Sequence, residues 1–344
     1  MKRLSIYSPV SDTLFIFLST TLSWLINNKQ IEICLFSNPK LSLGFDDGIS
    51  FDSIFRKNIS GDNTKPFSLL KDLYFLIRHS SRNILFNGSS TIILALFFKI
   101  LMPWRNVMYV MHGTLKSKGR VINSIFLFFF TFASIIGVYI YSVNNAYIKY
   151  AIRRNRFIFL GNAGVGLDKK FKHLLIGSRH NVPINKVITL GFVGRYEVSK
   201  GFDFYNKLSE IVDQKKFKCV SIGAGSIIPS NKISDFGFMD KEDLYSCLKN
   251  IDILILPSLS EGLGMVMVEC CVAGIPTITS LTDGSVQFIR PNETGIIVPH
   301  FDLNKYNCAI NEMANNLEQF RANCIVHSDS NNCFDAQPIK FALI

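Results

Sequence analysis

The sequence predicts an α/β protein built as two doubly wound domains, and three observations predict it. A chain of 344 residues is roughly twice the usual single-domain length, and at 48% apolar and 18% charged residues it can bury two cores and is neither disordered nor of low complexity. Short β-branched or aromatic runs alternate with longer amphipathic segments along nearly the whole chain, the pattern of repeated βα units on parallel sheets. The charge also divides: residues 1–165 hold 19 Lys plus Arg against 7 Asp plus Glu, while residues 166–344 hold 18 against 19. The two halves meet different environments.

In the first half the apolar runs predict strands over 3–8, 32–36, 83–87, 107–112 and 135–142, with helices over 13–27, 90–102 and 120–133. Residues 45–66, rich in Asp, Ser, Asn and Gly, read as an exposed excursion. Met1-Lys2-Arg3 is basic enough to open a signal peptide, but Pro9, Asp12 and Ser19-Thr20-Thr21 interrupt the apolar run behind it and no small-residue cleavage site appears, so a cleaved leader is not expected. Residues 121–141 have the length and apolarity of a membrane span. Ile-Ile-Gly-Val-Tyr-Ile-Tyr at 135–141 is β-branched and aromatic, however, which divides the stretch into a helix over 121–133 and a buried strand.

The second half predicts strands over 187–193, 218–223, 233–236, 252–257, 275–280 and 295–298, and helices over 202–214, 241–249, 265–273, 285–289 and 303–320. The domains are then residues 1–170 and 187–325, joined by a Gly- and Asn-bearing stretch near 161–186. Open parallel sheets bind ligands beyond the carboxyl ends of their strands, so a cleft between two such domains is the expected site. The eight cysteines show no CxxC spacing and no short disulfide framework, which points to reduced thiols, a cytosolic setting and no zinc site.

Two motifs carry chemistry. In the first, Ser258-Leu259-Ser260-Glu261-Gly262-Leu263-Gly264-Met265 follows a strand and opens a helix that Gly274 and Pro276 stop. Backbone N–H groups at that helix start, with two glycines allowing close approach, make an anion cradle, and Glu261 and Glu269 flank it. In the second, Gly194-Arg195-Tyr196-Glu197-Val198-Ser199-Lys200-Gly201 puts two cations at the carboxyl end of the first strand of the second domain, where they can clamp a diphosphate.

These two elements, in this order and about 65 residues apart, resemble the retaining glycosyltransferases of family 4, whose hallmark is a Glu, seven residues, then Glu. Phe236-Gly237-Phe238-Met239, Leu256-Pro257-Ser258 and Asn292-Glu293-Thr294-Gly295 look like further landmarks of that family. The resemblance implies the GT-B fold, two Rossmann-like domains facing each other across a cleft. It implies that Arg195 and Lys200 hold the donor diphosphate, and that Glu261 contacts the transferred sugar. The backbone of Gly262, Leu263, Gly264 and Met265 would line sugar and phosphates. Glu269 would take the ribose hydroxyls, and Phe238 and the loop of Gly225 would lie near the base. In the first domain Met111-His112-Gly113 resembles the family's His at the cleft, a second catalytic candidate, and 162–168 looks like a lengthened Asn-Gly-Val-Asp turn. The tail, residues 326–344, would pack back on the first domain. Ser8-Pro9-Val10-Ser11-Asp12 departs from the family's glycine-rich turn, so contacts from that loop do not carry over.

No Asp-x-Asp occurs, which agrees with a metal-independent enzyme without a cofactor, its leaving-group charge met by cations and a helix start. The expected substrates are a nucleoside diphosphate sugar and a glycan or polyprenyl-linked acceptor, in bacterial-type surface polysaccharide synthesis. The rivals are a membrane-spanning nucleotide-binding protein and an epimerase or phosphorylase of the same fold. A nucleic-acid binder lacks any reading module and leaves the two glutamates unexplained. Between residues 73 and 167 stand eleven Lys or Arg and no Asp or Glu, interleaved with Phe97, Phe98, Trp104, Phe126 and Phe128 to Phe130. That pattern predicts peripheral docking on an anionic membrane surface at the cytoplasmic face, through cations such as Lys99, Arg105, Lys116, Lys118 and Arg120.

Overall fold

The computed structural model describes residues 3–9, 21–22, 25, 31–37, 54–58, 66–113, 119–160, 167, 169–177, 187–299 and 301–330. They form two compact units that divide between residues 166 and 167. Most of the helix expected over 13–27, Lys116, Lys118, most of the 162–168 turn and residues 331–344 lie outside the described residues.

The first unit holds strands β1 (Arg3–Tyr7), β2 (Glu32–Ser37), β3 (Ile54–Asn58), β4 (Asn83–Asn87), β5 (Asn106–Met111), β6 (Tyr139–Ser142) and β7 (Phe157–Phe159). They pair in parallel in the order β3-β2-β1-β4-β5-β6-β7, a doubly wound sheet whose order reverses between β1 and β4. Its helices are α1 (Pro66–His79), α2 (Ile92–Leu101) and α3 (Arg120–Ile136). Parallel strands are buried on both faces, and Leu4, Ile6, Ile84, Phe86, Val107, Tyr109 and Ile140 are buried accordingly.

Two expectations for this unit are corrected. The excursion over 45–66 contains β3, which Arg56 and Lys57 disguise; charged residues are tolerated on an edge strand. Pro66 opens α1, a start signal the composition of its neighbours hid. Residues 121–141 are indeed divided, but three residues later than the strand propensity suggests: α3 runs to Ile136 and Gly137 caps it in the left-handed region at φ 91°. Val138 N–H then donates to Ala133 O at 3.0 Å, the closing bond of a Schellman turn. Among the described residues no helix is long and apolar enough to cross a membrane.

Side chains expected on the surface sort into two groups. Phe98, Phe126 and Phe130 are core, packed with Phe86, Leu76 and Ile140. Phe97, Trp104 and Phe128 are exposed. Two of the expected surface cations serve the fold: Arg105 donates to Ile77 O, Ser80 O and Ser81 O behind the end of α1, and Lys99 donates to Pro103 O and Arg105 O. Arg120, Arg153 and Arg154 are exposed.

The second unit repeats the plan with six parallel strands: β8 (Ile188–Val193), β9 (Phe217–Ile222), β10 (Ile233–Asp235), β11 (Ile253–Leu256), β12 (Thr277–Ser280) and β13 (Gly295–Val298). Their order is β10-β9-β8-β11-β12-β13, so the switch point lies between β8 and β11. Helices α4 (Lys169–Gly177), α5 (Phe202–Ile211), α6 (Lys241–Leu248), α7 (Met265–Val272), α8 (Asp283–Phe288), α9 (Leu303–Asn315) and α10 (Leu317–Ser330) flank the sheet. Helix α4 lies in the stretch read as a linker and packs on α6 and α7, with Leu175 buried. The single helix expected over 303–320 is two, broken at Asn316, since Asn315-Asn316 favours local side-chain bonds over helix. Residues 326–330 are the end of α10, not the start of a tail; α10 packs on α7 and belongs to the second unit.

An ion pair anchors that last helix. Arg321 Nη2 donates to Asp252 Oδ1 at 2.5 Å, and Thr189 N–H donates to Asp252 Oδ2 at 2.7 Å, with both side chains buried. Asp252 thereby ties α10 to the starts of β8 and β11.

Candidate active site

In the second unit the loops after β8 and β11, on either side of the switch point, are laced together. Gly201 has φ 73°, and a Cβ there would stand 1.8 Å from Pro257 O, so only glycine lets the cation loop lie against the end of β11. Leu259 N–H donates to Ser199 O at 3.0 Å across the same seam. The consequence is that Lys200 and Glu261, distant in sequence, meet: Lys200 Nζ stands 2.8 Å from Glu261 Oε1.

Glu261 is held from several sides. Ser258 Oγ donates to the same Oε1 at 2.7 Å, and Gly284 N–H donates to Glu261 O at 2.9 Å. The carboxylate is only 7% exposed, so its ion pair is screened little by water. Gly264, at φ 77°, is the N-cap of α7, and no side chain caps the helix. Met267 N–H donates to Gly264 O at 2.9 Å, and glycine offers no side-chain acceptor to the N–H groups of Met265 and Val266, so the start of α7, four residues after Glu261, can serve as a cradle for a negatively charged group. Leu263 and Met265 contribute backbone there, with Leu263 buried.

Arg195 is 67% exposed and bonds Glu197 Oε1 at 3.0 Å; it does not join the Lys200–Glu261 pair. Tyr196 behind it stacks on Phe202 with ring centroids 4.0 Å apart and donates to Asp235 Oδ1 at 2.5 Å. Gly225 pairs with Tyr196 in an isolated bridge, and a Cβ on Gly225 would meet Tyr196 O at 2.4 Å. Tyr196 thus pins the loop after β8 to those after β9 and β10. Phe238, in the loop after β10, is 81% exposed, an aromatic face open to a ligand.

Glu269 sits inside α7 and is mostly buried, where Tyr245 Oη of α6 donates to its Oε1 at 2.8 Å. Burial raises its carboxyl above the ordinary range, and the Tyr245 bond opposes that shift. The solvated helix-start carboxylate that a glutamate in this position suggests is therefore not what the structure holds.

His112 belongs to the first unit, at the carboxyl end of β5. Its Nε2 lies 2.7 Å from Asn87 Oδ1, and Asn87 Nδ2 donates to Ser8 Oγ at 3.0 Å. Three strand ends, β1, β4 and β5, are joined by this chain across the switch point of their sheet. The amide oxygen accepts, so Nε2 carries the proton. Burial lowers the imidazole to about 3, which keeps it neutral at physiological pH. Tyr245 and Asn87 were not singled out in the sequence, and Ser258 and Tyr196 were named only as members of motifs, without a role; the readable sign at Asn87 was a polar residue closing an apolar strand before Gly88. Among the described residues no three His, Cys, Asp or Glu side chains gather as a cation site, and the seven described cysteines are free.

Comparison with known proteins agrees with this architecture. Residues 178–327 match the family model of glycosyl transferases group 1. A protein of the cps region of Klebsiella pneumoniae, described only as an uncharacterized 41.2 kDa protein, is 27% identical over 176 residues. That match spans 47% of this chain and 49% of the relative, about half the length of each. Anabaena HepE in complex with UDP-glucose superposes with a TM-score of 0.70 at 12% identity, covering 97% of this chain and 96% of its own. The lipopolysaccharide outer core galactosyltransferase WaaB superposes with a TM-score of 0.64 at 16% identity, covering 97% and 99%. The chain thus has the GT-B fold of two Rossmann-like domains, and its residues 178–327 are similar to the glycosyl transferases group 1 family.

Proposed function

We propose that the protein is a retaining, metal-independent hexosyltransferase that moves a sugar from a nucleoside diphosphate sugar to a glycan or polyprenyl-linked acceptor. It would act in surface polysaccharide synthesis, as a peripheral protein on the cytoplasmic face of a membrane. The observation that carries the reading is the joining of Lys200, Glu261 and the uncapped start of α7 at the switch point of the second sheet. Support comes from HepE, whose structure holds UDP-glucose, from WaaB, a galactosyltransferase, and from the cps-region relative.

In this reading Arg195, Lys200 and the N–H groups of α7 receive the diphosphate as the bond from the anomeric carbon to phosphate breaks. Glu261 stabilises positive charge developing on the sugar. The acceptor oxygen arrives on the face the phosphate leaves, and that phosphate takes the acceptor proton. Glu269, steadied by Tyr245, accepts from the ribose hydroxyls, and Phe238 lies on the base beside the Gly225 loop. His112, neutral and with its Nε2–H given to Asn87, keeps Nδ1 as an acceptor for a substrate hydroxyl.

Purified protein is to be tested against a panel of UDP- and GDP-sugars with free glycan and polyprenyl-linked acceptors, the anomeric configuration of the product being read by NMR. Transfer with retention is expected. Inversion overturns the stereochemistry, and epimerised sugar or sugar phosphate without transfer favours the same-fold rivals. Arg195→Ala and Lys200→Ala should each impair donor use and together leave almost no activity, while EDTA has little effect; strict dependence on added Mg²⁺ or Mn²⁺ would overturn the clamp. Glu269→Ala should weaken nucleotide binding by about 1–3 kcal/mol, the loss of a hydrogen bond to a charged group, measured by calorimetry.

A further inference from the structure

The outward face of α3 carries no charge. Val121, Ile125, Phe128, Phe132 and Ile135 recur at helical spacing and are all exposed, from 73% at Val121 and 66% at Phe128 to 39% at Phe132 and Ile135. The rings of Phe128 and Phe132 stack parallel, 6.5 Å apart. The inward face, Phe126, Phe130 and Ala133, is already buried in the core of its unit. A surface helix normally turns charged side chains outward, so a helix apolar on both faces has a second apolar environment to meet.

Cations bracket the stripe. Arg120 is exposed at the first residue of α3. At the other end Arg153 N–H donates to Ser134 Oγ at 3.0 Å, and Arg153 and Arg154 are exposed. No Asp or Glu lies between residues 73 and 167 to answer them.

We propose that this stripe is the surface by which the protein enters the interface of an anionic phospholipid bilayer. The inference rests on the membrane-facing part of the proposed function and assigns it a place. Helix α3 lies in the plane of the bilayer, the stripe at the acyl boundary and Arg120, Arg153 and Arg154 among the headgroup phosphates. Its 17 residues extend about 25 Å along the axis, a length that lies on a bilayer and does not span it. A second copy fits the stripe poorly. A twofold interface sets a patch against itself, and here it would bring arginines against arginines with no Asp or Glu of residues 73–167 to match them.

Sedimentation of the full chain with vesicles tests this. Binding is expected to vesicles of phosphatidylglycerol and phosphatidylethanolamine, to fall as salt screens the charge, and to be absent with phosphatidylcholine. Ile125→Glu with Phe128→Glu should lower binding by about tenfold or more, since two exposed apolar groups no longer enter the interface. Arg153→Glu with Arg154→Glu should abolish the preference for anionic lipid. Equal binding to both vesicles, binding to neither, or variants that bind like the parent would overturn the proposal. So would a parent dimer, seen in sizing chromatography, that the α3 variants disperse. If the α3 variants fail to fold, the salt and lipid dependence of the parent and the arginine variant decide. UDP binding, measured without vesicles, should be the same in parent and variants. Its absence in all of them would count against the transferase reading and leave the docking result standing.

Discussion

Glu261→Ala is expected to lower turnover by at least about 10²–10³-fold, the effect of removing one preorganised charge-stabilising group, while nucleoside diphosphate affinity stays within a few-fold. The geometry makes the case. Lys200 and Ser258 both use Oε1 and Gly284 holds the backbone, and on the proposed reading Oε2 is the oxygen that meets the sugar. Ser258 and the Gly284 bond hold Glu261 also when Lys200 turns to the diphosphate, so the carboxylate needs little rearrangement when charge develops, which is when its charge counts most. Steady-state kinetics with the donor identified in the panel, together with calorimetric titration of the nucleoside diphosphate, separates the two effects. Near-parental turnover would remove Glu261 from the catalytic role. Loss of nucleotide affinity matching the loss of turnover would make it a binding residue instead.

Arg321→Ala is expected to destabilise the second unit by about 3–5 kcal/mol, because it leaves a buried carboxylate without its cation. Asp252 keeps the Thr189 N–H bond in the variant, so the charge stays where the fold put it and has lost its main partner. Removing both charges, as in Asp252→Asn with Arg321→Met, should recover much of the loss, since the cost lies in the orphaned charge more than in the pair. Denaturant unfolding of the parent, the single and the double variant measures this. A single variant within about 1 kcal/mol of the parent, the range of an exposed pair, would show that the Arg321–Asp252 pair carries no more weight than a surface one.

Most of the strands, though not β3 or β7, and the Glu261 motif were legible because each is written in one contiguous stretch. Asn83–Asn87 and Gly295–Val298 are bounded by their own apolar runs, and Glu261, Gly264 and Glu269 declare a loop and helix start by spacing alone. The features that were not legible depend on partners far along the chain. Strand β3 is a strand because β2 is beside it, not because Ile-Phe-Arg-Lys-Asn prefers one. The surroundings of Glu269 turn on Tyr245 from another helix, and the orientation of His112 on Asn87 and Ser8 from two other strands. Composition showed that aromatic and basic residues share a segment, but only packing separates Phe126 and Phe130, which fill the core, from Phe128, which does not. The same holds for Arg105, which reads as a surface cation and is used to cap a helix end.

The pairing of Lys200 with Glu261 and of Arg195 with Glu197 has a consequence for the end of a catalytic cycle. On the proposed assignments, each cation that grips a diphosphate has a protein carboxylate to return to. A leaving nucleotide therefore does not expose two bare positive charges, and re-forming the internal pairs offsets part of what its departure costs. The tighter, less exposed Lys200 pair governs most of that exchange, while the exposed Arg195 pair is weak enough to open readily. On those assignments the site would give up some affinity for the donor and in return would not retain the spent nucleotide. A loop whose charges are balanced before the substrate arrives also has little attraction for stray inorganic anions.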